Sequence, residues 1–244
     1  MTEILIISDL HLSGDRPGTT ELFFRFLEEQ LTVQSRLYIL GDLLDAWIGD
    51  DDCTPPVPDI KARIKQASAH GAEIFFMHGN RDFLVGQDFA AETGCTLLDD
   101  PAVIHLNGVA TLLMHGDLLC SDDQEYQKAR LFLRSPGFIK DMLSRSIDER
   151  RAIAADFRKR SGEINSLKAE YIMDVNQQTV ETYMRRNQVT LLIHGHTHRP
   201  DTHQFTLDGR PAQRIVLPEW HEARGGYLKA DNNGVSIHDY RAQG

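Results

Sequence analysis

The segment Leu191-Leu192-Ile193-His194-Gly195-His196-Thr197-His198 sets two imidazoles, His196 and His198, two residues apart behind a glycine. Three apolar residues running into Gly and polar residues read as a buried parallel strand opening into a loop. Open α/β sheets place their ligands at such strand ends. Four further apolar runs finish in the same way. Glu3–Ile7 delivers Asp9 and His11; Leu37–Leu40 ends in Gly41-Asp42; Glu73–Met77 ends in His78-Gly79-Asn80; Val109–Met114 ends in His115-Gly116-Asp117. Any one of these is commonplace, because a carboxylate or histidine at a strand end usually just hydrogen-bonds. Together they offer seven candidate ligands: Asp9, His11, Asp42, Asn80, His115, His196 and His198. That is too many for one ion and suits two ions sharing a bridging carboxylate, at the ~3.5–4 Å spacing of two-metal hydrolytic sites. Mixed Asp, Asn and His ligation without thiolate points to Mn, Fe or Zn class ions rather than Ca or a structural zinc. Such a pair lowers the pKa of a bridging water and holds phosphoryl oxygens during in-line attack.

The remaining chain must position these strand ends. A stripe of Leu22, Phe23, Phe26, Leu27 and Leu31, with Thr20 as its cap, predicts a helix facing the core. Ile60–His70 reads as a helix closed by Gly71, and Gln87–Thr93 as one stopped by Gly94. Asn107-Gly108 between Val103–Leu106 and Val109–Met114 is a hairpin signal. From Leu118 to Gln188 only helix-like periodicity appears, so the reading is a core of residues 1–120 and 188–244 with a helical cap inserted at 121–187. Three short strands are expected after the last histidine loop, at Arg214–Leu217, Gly226–Ala230 and Val235–Asp239. Asp50-Asp51-Asp52 lacks the Gly and distal Glu of an EF-hand loop and reads as a solvated loop. His78 and His194 read as hydrogen-bonding supports for the ligands; Trp220 is assigned no role.

Length and composition fit one core with a cap: 244 residues, 41% hydrophobic, 25% charged. The start of the chain reads as a strand rather than a signal peptide, and no apolar run approaches the ~20 residues of a membrane span. Three cysteines without C-x-x-C spacing suit a reducing compartment, so a cytoplasmic location is expected. A net charge of −10 argues against nucleic acid as partner. Between Ser121 and Asn187, however, 13 Lys or Arg stand against 11 Asp or Glu, a basic segment on an acidic body suited to an anionic ligand.

In this order, D-x-H, G-D, G-N, H-G-D and G-H-T-H resemble the calcineurin-like metallophosphoesterases over Asp9 to His198. The resemblance implies a four-layer αββα fold. It also implies Asp9, His11, Asp42 and His198 on one metal and Asp42, Asn80, His115 and His196 on the other, with Asp42 bridging. Most of that family reads G-N-H, where the histidine helps to protonate an alkoxide leaving group; Arg81 stands in its place here. An arginine cannot act as a general acid at neutral pH. It can neutralise a leaving group that needs no proton, such as a phosphate with a second pKa near ~6. Arg81 therefore argues for cleavage of a phosphoanhydride.

A finer resemblance lies in Tyr38–Asp42, Ala46–Asp52, His78–Leu84 and Ile172–Asn176, which are similar to the branch of the family that cleaves UDP-2,3-diacylglucosamine in lipid A synthesis. That branch attacks the α-phosphate and releases UMP and 2,3-diacylglucosamine 1-phosphate. The resemblance implies Mn2+ as the pair of ions, and catalysis by Asp42, Asn80, Arg81, His115 and His196. It implies substrate contacts from Asn80, Arg81, Asp123, Ser161, Asn165, Lys168 and His196. Apolar side chains of Leu131–Leu143 would then line a groove for two acyl chains. Basic residues around Arg150–Arg160 would meet the cytoplasmic face of the inner membrane, peripherally. No obligate protein partner is expected. The alternatives are another dimetal phosphoesterase acting on a soluble nucleotide or phosphoester, and a non-catalytic scaffold, which would show gaps in the ligand set.

Overall fold

The structure, a computed structural model, describes residues 3–167, 174–232 and 234–241, with the backbone alone over 161–167. The first half alternates strand and helix: β1 (Ile4–Ile7), α1 (Pro17–Gln30), β2 (Arg36–Leu40), α2 (Val57–Ala69), β3 (Glu73–Met77), α3 (Gln87–Thr93) and β4 (Thr96–Leu98). A hairpin follows, β5 (Ala102–Leu106) and β6 (Val109–Leu113), then four helices: α4 (Gln124–Leu133), α5 (Pro136–Leu143), α6 (Ile147–Leu167) and α7 (Gln177–Asn187). The chain closes with β7 (Leu191–His194), β8 (Asp201–Leu207), β9 (Arg210–Val216), β10 (Arg224–Asp231) and β11 (Gly234–Arg241).

Two sheets result. The first runs β11-β10-β1-β2-β3-β4, with β1 to β4 parallel; the second runs β5-β6-β7-β9-β8, with β6, β7 and β9 parallel. Strands β1 and β2 are apolar on both faces, as strands covered on both sides must be. In β1, Leu5 and Ile7 face α1 and α2, while Ile4 and Ile6 face the second sheet with Leu113, Ile193 and Ile215. On the far side of the second sheet, Leu112, Met114 and Leu192 pack against Val180 and Met184 of α7. The order helix, sheet, sheet, helix is the four-layer αββα sandwich. Because the parallel strands of each sheet share one direction, the loops after β1, β2, β3, β6 and β7 converge on one edge.

Several local features depart from the sequence reading. Pro17, pre-set for the first helical position, starts α1 three residues ahead of Thr20, whose buried hydroxyl caps nothing. Strand β8 was not expected; its signal is Asp208-Gly209, both at positive φ (51° and 77°), the same hairpin geometry as Asn107-Gly108 (50° and 82°). The acidic run is not simply solvated. Asp50 accepts from the Gly86 and Phe89 amides at the start of α3 and from Trp47 Nε1. Asp51 forms a two-point pair with Arg150 of α6 (2.7 and 2.5 Å). The run therefore pins two helices to the loop after β2. Trp220 is fully buried, edge-on to Phe26, and belongs to the core.

Candidate metal centre and active site

Five of the seven candidate ligands sit at positive φ: Asp9 (56°), His11 (49°), Asp42 (53°), His196 (68°) and His198 (55°). Non-glycine residues avoid this region, at a cost of ~1–3 kcal/mol each, and they persist there only where surrounding bonds hold them. Here the loops brace one another. The Leu10 and His11 amides both donate to Asp42 O, Asp9 N to Gly41 O, and Gly195 N to His115 O. The turns bring the side chains inward and together.

All seven converge. His11 Nε2 lies 3.3 Å from His198 Nε2 and 3.9 Å from Asp42 Oδ2; His198 Nε2 lies 3.5 Å from Asp9 Oδ1. Asn80 Oδ1 is 3.0 Å from His115 Nε2 and 2.9 Å from His196 Nδ1, and His115 Nε2 is 3.8 Å from Asp42 Oδ1. Two donor sets can each hold an ion, Asp9 with His11 and His198, and Asp9 with Asp42 and His115.

The chemistry of this cluster fits divalent cations. Ser8 Oγ and the His196 amide donate to Asp9 Oδ2, leaving the buried Oδ1 without a hydrogen bond and with only His198 Nε2 nearby, at 3.5 Å. An unpaired buried carboxylate oxygen is costly unless a cation meets it. Burial, then repulsion from Asp9, holds the Asp42 carboxyl above its usual range, despite the His115 charge opposing that shift. Burial pushes His11 and His196 down to about 4, so both present neutral imidazoles able to ligate. Burial would lower His115 as well, but Asp42, Asp117 and Asp9 together raise it to about 9. His198 rises to about 10 through Asp9 and Glu219, again against burial. The carboxylates thus draw positive charge inward, and a metal ion bound there would have to displace protons from these two rings. His115 Nδ1 donates to Leu40 O, which aims Nε2 at the cluster.

Residues 2–200 match the calcineurin-like phosphoesterase family. The chain belongs to that family. It is 49% identical to the UDP-2,3-diacylglucosamine hydrolase of Marinobacter nauticus over 94% of this chain and 93% of that one. It is 46% identical to the enzyme of the same name from Chromohalobacter salexigens, with the same coverage. The counterpart in Cellvibrio japonicus is also 46% identical, over 97% of this chain and 98% of its own. Among solved structures, an archaeal phosphodiesterase superposes with a TM-score of 0.50 at 13% identity, covering 99% of this chain and all of its own, a likeness of fold. A divalent metal centre accords with membership of the calcineurin-like family and with this Asp/His cluster.

Glycine is required where the loops of this phosphoesterase touch. A Cβ on Gly195 would collide with Asp9 Oδ2 and Ser8 Oγ, and one on Gly79 with Asp42 Oδ1. Gly195→Ala is therefore expected to push Asp9 off its position. Metal affinity, measured by titration with elemental analysis after gel filtration, should fall by at least ~10-fold, as for lost ligand support.

Beside the cluster, Asn80 and Arg81 open into a cavity of about 380 Å3 walled by Trp47, Phe83, Leu133, Phe138, Met142 and Phe157. Arg81 donates its backbone amide to Asp42 Oδ1, and its Nε is buried without a partner. Leu131 and Leu143, expected to line the groove, point outward (73% and 42% exposed); Ile139 packs toward the core. Asp123 caps α4 by accepting from the Tyr126 amide. Ser161 and Asn165 fall on α6 where only backbone is described, and Lys168 lies outside the described residues. Arg150, expected among basic residues meeting a membrane, is only 3% exposed and is spent on Asp51 and Ile48 O. It anchors α6.

Four supporting residues escaped the sequence reading. Asp82 is buried, accepting from the Leu43 and Gly79 amides, and so ties the loops after β2 and β3 together. Glu219 holds His198 Nδ1 at 2.7 Å. Asp117 accepts from Tyr126 and Arg130. Asp100, with a side chain 5% exposed, has neither carboxylate oxygen hydrogen-bonded. The H-G-D motif pointed at Asp117; nothing local marked the other three, which meet Leu43, His198 and Arg130 from well separated parts of the chain.

Burial, then Asp117, pushes the Asp100 carboxyl up to about 6. A raised carboxyl means the folded state holds a proton that the unfolded chain has released, so stability declines as pH rises from about 4 to about 6. Asp100→Asn removes that decline. Its stability advantage over the parent should be small at pH 4 and level off at about 3 kcal/mol well above pH 6, read from denaturant unfolding between pH 4 and pH 8.

Proposed function

We propose that this phosphoesterase hydrolyses the pyrophosphate of UDP-2,3-diacylglucosamine at the α-phosphate, yielding UMP and 2,3-diacylglucosamine 1-phosphate. The observation that carries the reading is the aromatic cavity opening directly from Asn80 and Arg81: a polar reaction end joined to an apolar chamber. The names of the relatives agree with it. A soluble nucleotide or phosphoester would leave the chamber without a purpose.

Asp9, His11, Asp42 and His198 would hold one ion and Asp42, Asn80, His115 and His196 a second, with Mn2+ suited to this oxygen and nitrogen donor set. When bound, such ions polarise phosphoryl oxygens and activate water. The chain's own residues then act around them. Arg81, beside Asn80 and needing to give no proton, neutralises the departing phosphate. His196 and Asn80 flank the phosphate under attack, and His115, whose Nδ1 donates to Leu40 O, is held with its Nε2 turned toward the second ion. Phe83, Leu133, Phe138 and Phe157 exclude water from the acyl end.

The segment covering the site is α4 to α6 within the inserted stretch 121–187, whereas α7 packs on the second sheet. Ser161 and Asn165 near the end of α6, together with Lys168 and Asp123, would contact the head group. Exposed Leu131 and Phe132 (73% and 63%) near the cavity suit peripheral contact with the cytoplasmic face of the inner membrane, from which a diacylated substrate must be taken. No described helix is long and apolar enough to cross a membrane.

The test is hydrolysis of UDP-2,3-diacylglucosamine with added manganese in water enriched in heavy oxygen, beside a generic aryl phosphate ester. Labelled UMP with little turnover of the aryl ester supports both substrate and point of attack. Label in the sugar phosphate would move the attack to the other phosphorus, and turnover of the aryl ester alone would discard the lipid substrate.

A further inference from the structure

Cationic side chains around the cavity are mostly spent on partners within the protein. Arg158 pairs with Asp45, Arg160 with Asp156 at 2.9 Å, and Arg130 with Asp117 at 2.7 Å and Asp100 at 3.8 Å. Arg134 differs. Its Nη2 donates to Gly79 O at 2.8 Å and stands 3.5 Å from Asp117 Oδ2. Both contacts use the same nitrogen, so Nη1 and Nε take no partner among the described residues. The guanidinium lies over the Phe83 ring, 6.0 Å from its centroid, on the wall that also carries Asn80 and Arg81. It therefore stands where the polar end of the cavity meets its apolar end. In the reaction proposed above the sugar-linked phosphate departs and gains charge as it leaves, and Arg81 alone has so far been set against it.

We propose that Arg134 is a second cationic contact, beside Arg81, to the sugar-linked phosphate of the substrate and of the sugar phosphate product, with Asp117 as its positioning residue. The inference rests on the function proposed above. An arginine with two donors free and its third nitrogen tethered to the backbone beside Asn80 is pre-aimed, so little side-chain entropy is lost on binding. Asp117 is fully buried, and Tyr126 Oη and Arg130 Nε fill its Oδ2 at 2.8 and 2.7 Å. That pins α4, and with it Arg134, to the loop carrying His115. A guanidinium over an aromatic ring at the apolar boundary also suits a ligand whose charge and acyl chains are one sugar apart.

The experiment measures, by calorimetry on the manganese-loaded full chain, binding of 2,3-diacylglucosamine 1-phosphate and of phosphate-free 2,3-diacylglucosamine. In the parent the phosphate should strengthen binding. Arg134→Gln should shrink that advantage roughly 10–100-fold, with Arg134→Lys in between because it keeps the charge without the fork. Asp117→Asn should shrink it too, and the double variant should lose little more than Arg134→Gln alone, since the two act through one contact. Equal weakening of both ligands, or an unchanged advantage in Arg134→Gln, overturns the phosphate contact. If the parent binds neither ligand, the proposed function fails instead, and the inference with it.

Discussion

Asp42→Ala is expected to lower kcat/KM on UDP-2,3-diacylglucosamine by ~10^3-fold or more while the chain still folds. Removing a single electrostatic stabiliser already costs ~10^2–10^3 in rate, and in the proposed site Asp42 is the carboxylate shared by both ions, its oxygens 3.9 Å from His11 Nε2 and 3.8 Å from His115 Nε2. The fold should tolerate the change for a reason visible in the site. The Asp42 carboxyl is held above its ordinary range by burial and by Asp9. A carboxyl raised in this way costs the folded state stability as pH climbs through and above its folded value. Alanine removes that cost, although the Arg81 amide loses its acceptor. In chelator-treated protein at pH 8 the melting temperature should therefore match or exceed that of the parent, while metal binding and turnover collapse. Turnover within ~10-fold of the parent would sink the two-metal reading.

Arg81→His should separate leaving groups. It installs the side chain that the wider family carries at this position, removes the cation at the mouth of the cavity, and leaves the backbone amide that donates to Asp42. We expect kcat/KM on the pyrophosphate substrate to fall ~10^2–10^3-fold, because a departing phosphate is stabilised by charge rather than by a proton. Hydrolysis of a simple alkyl phosphate monoester should rise relative to it, since an alkoxide gains ~10^2–10^4 from a general acid. The ratio of the two rates, followed by phosphate and UMP release, carries the test. A ratio unchanged from the parent would show that Arg81 merely orients substrate.

The seven ligand-type residues could be read directly from sequence because the signal is local. Each stands where an apolar strand ends, and parallel strands of one sheet must end on one edge, so Asp9, Asp42 and Asn80 were bound to be neighbours. The same locality made Gly71 and Gly94 legible as helix ends and Asn107-Gly108 as a hairpin. For Arg81 the expectation came from chemistry alone, since a group that cannot release a proton restricts the leaving group.

What only the tertiary structure decided depends on partners far apart in the chain. Asp51 reads as a solvated acid until Arg150, about 100 residues later, folds against it. Glu219 becomes the support of His198, and Asp117 the anchor of α4, only when separate elements dock. The helical periodicity of α4 to α6 foretold apolar faces but not which way each turns: Phe138 and Met142 face the cavity, whereas Leu131 faces out. Burial is a property of the packed chain, and it alone separates a charged surface residue from one whose charge must be matched. Strand order and residue type place the ligand-type side chains; the packing of the inserted helices determines what reaches them.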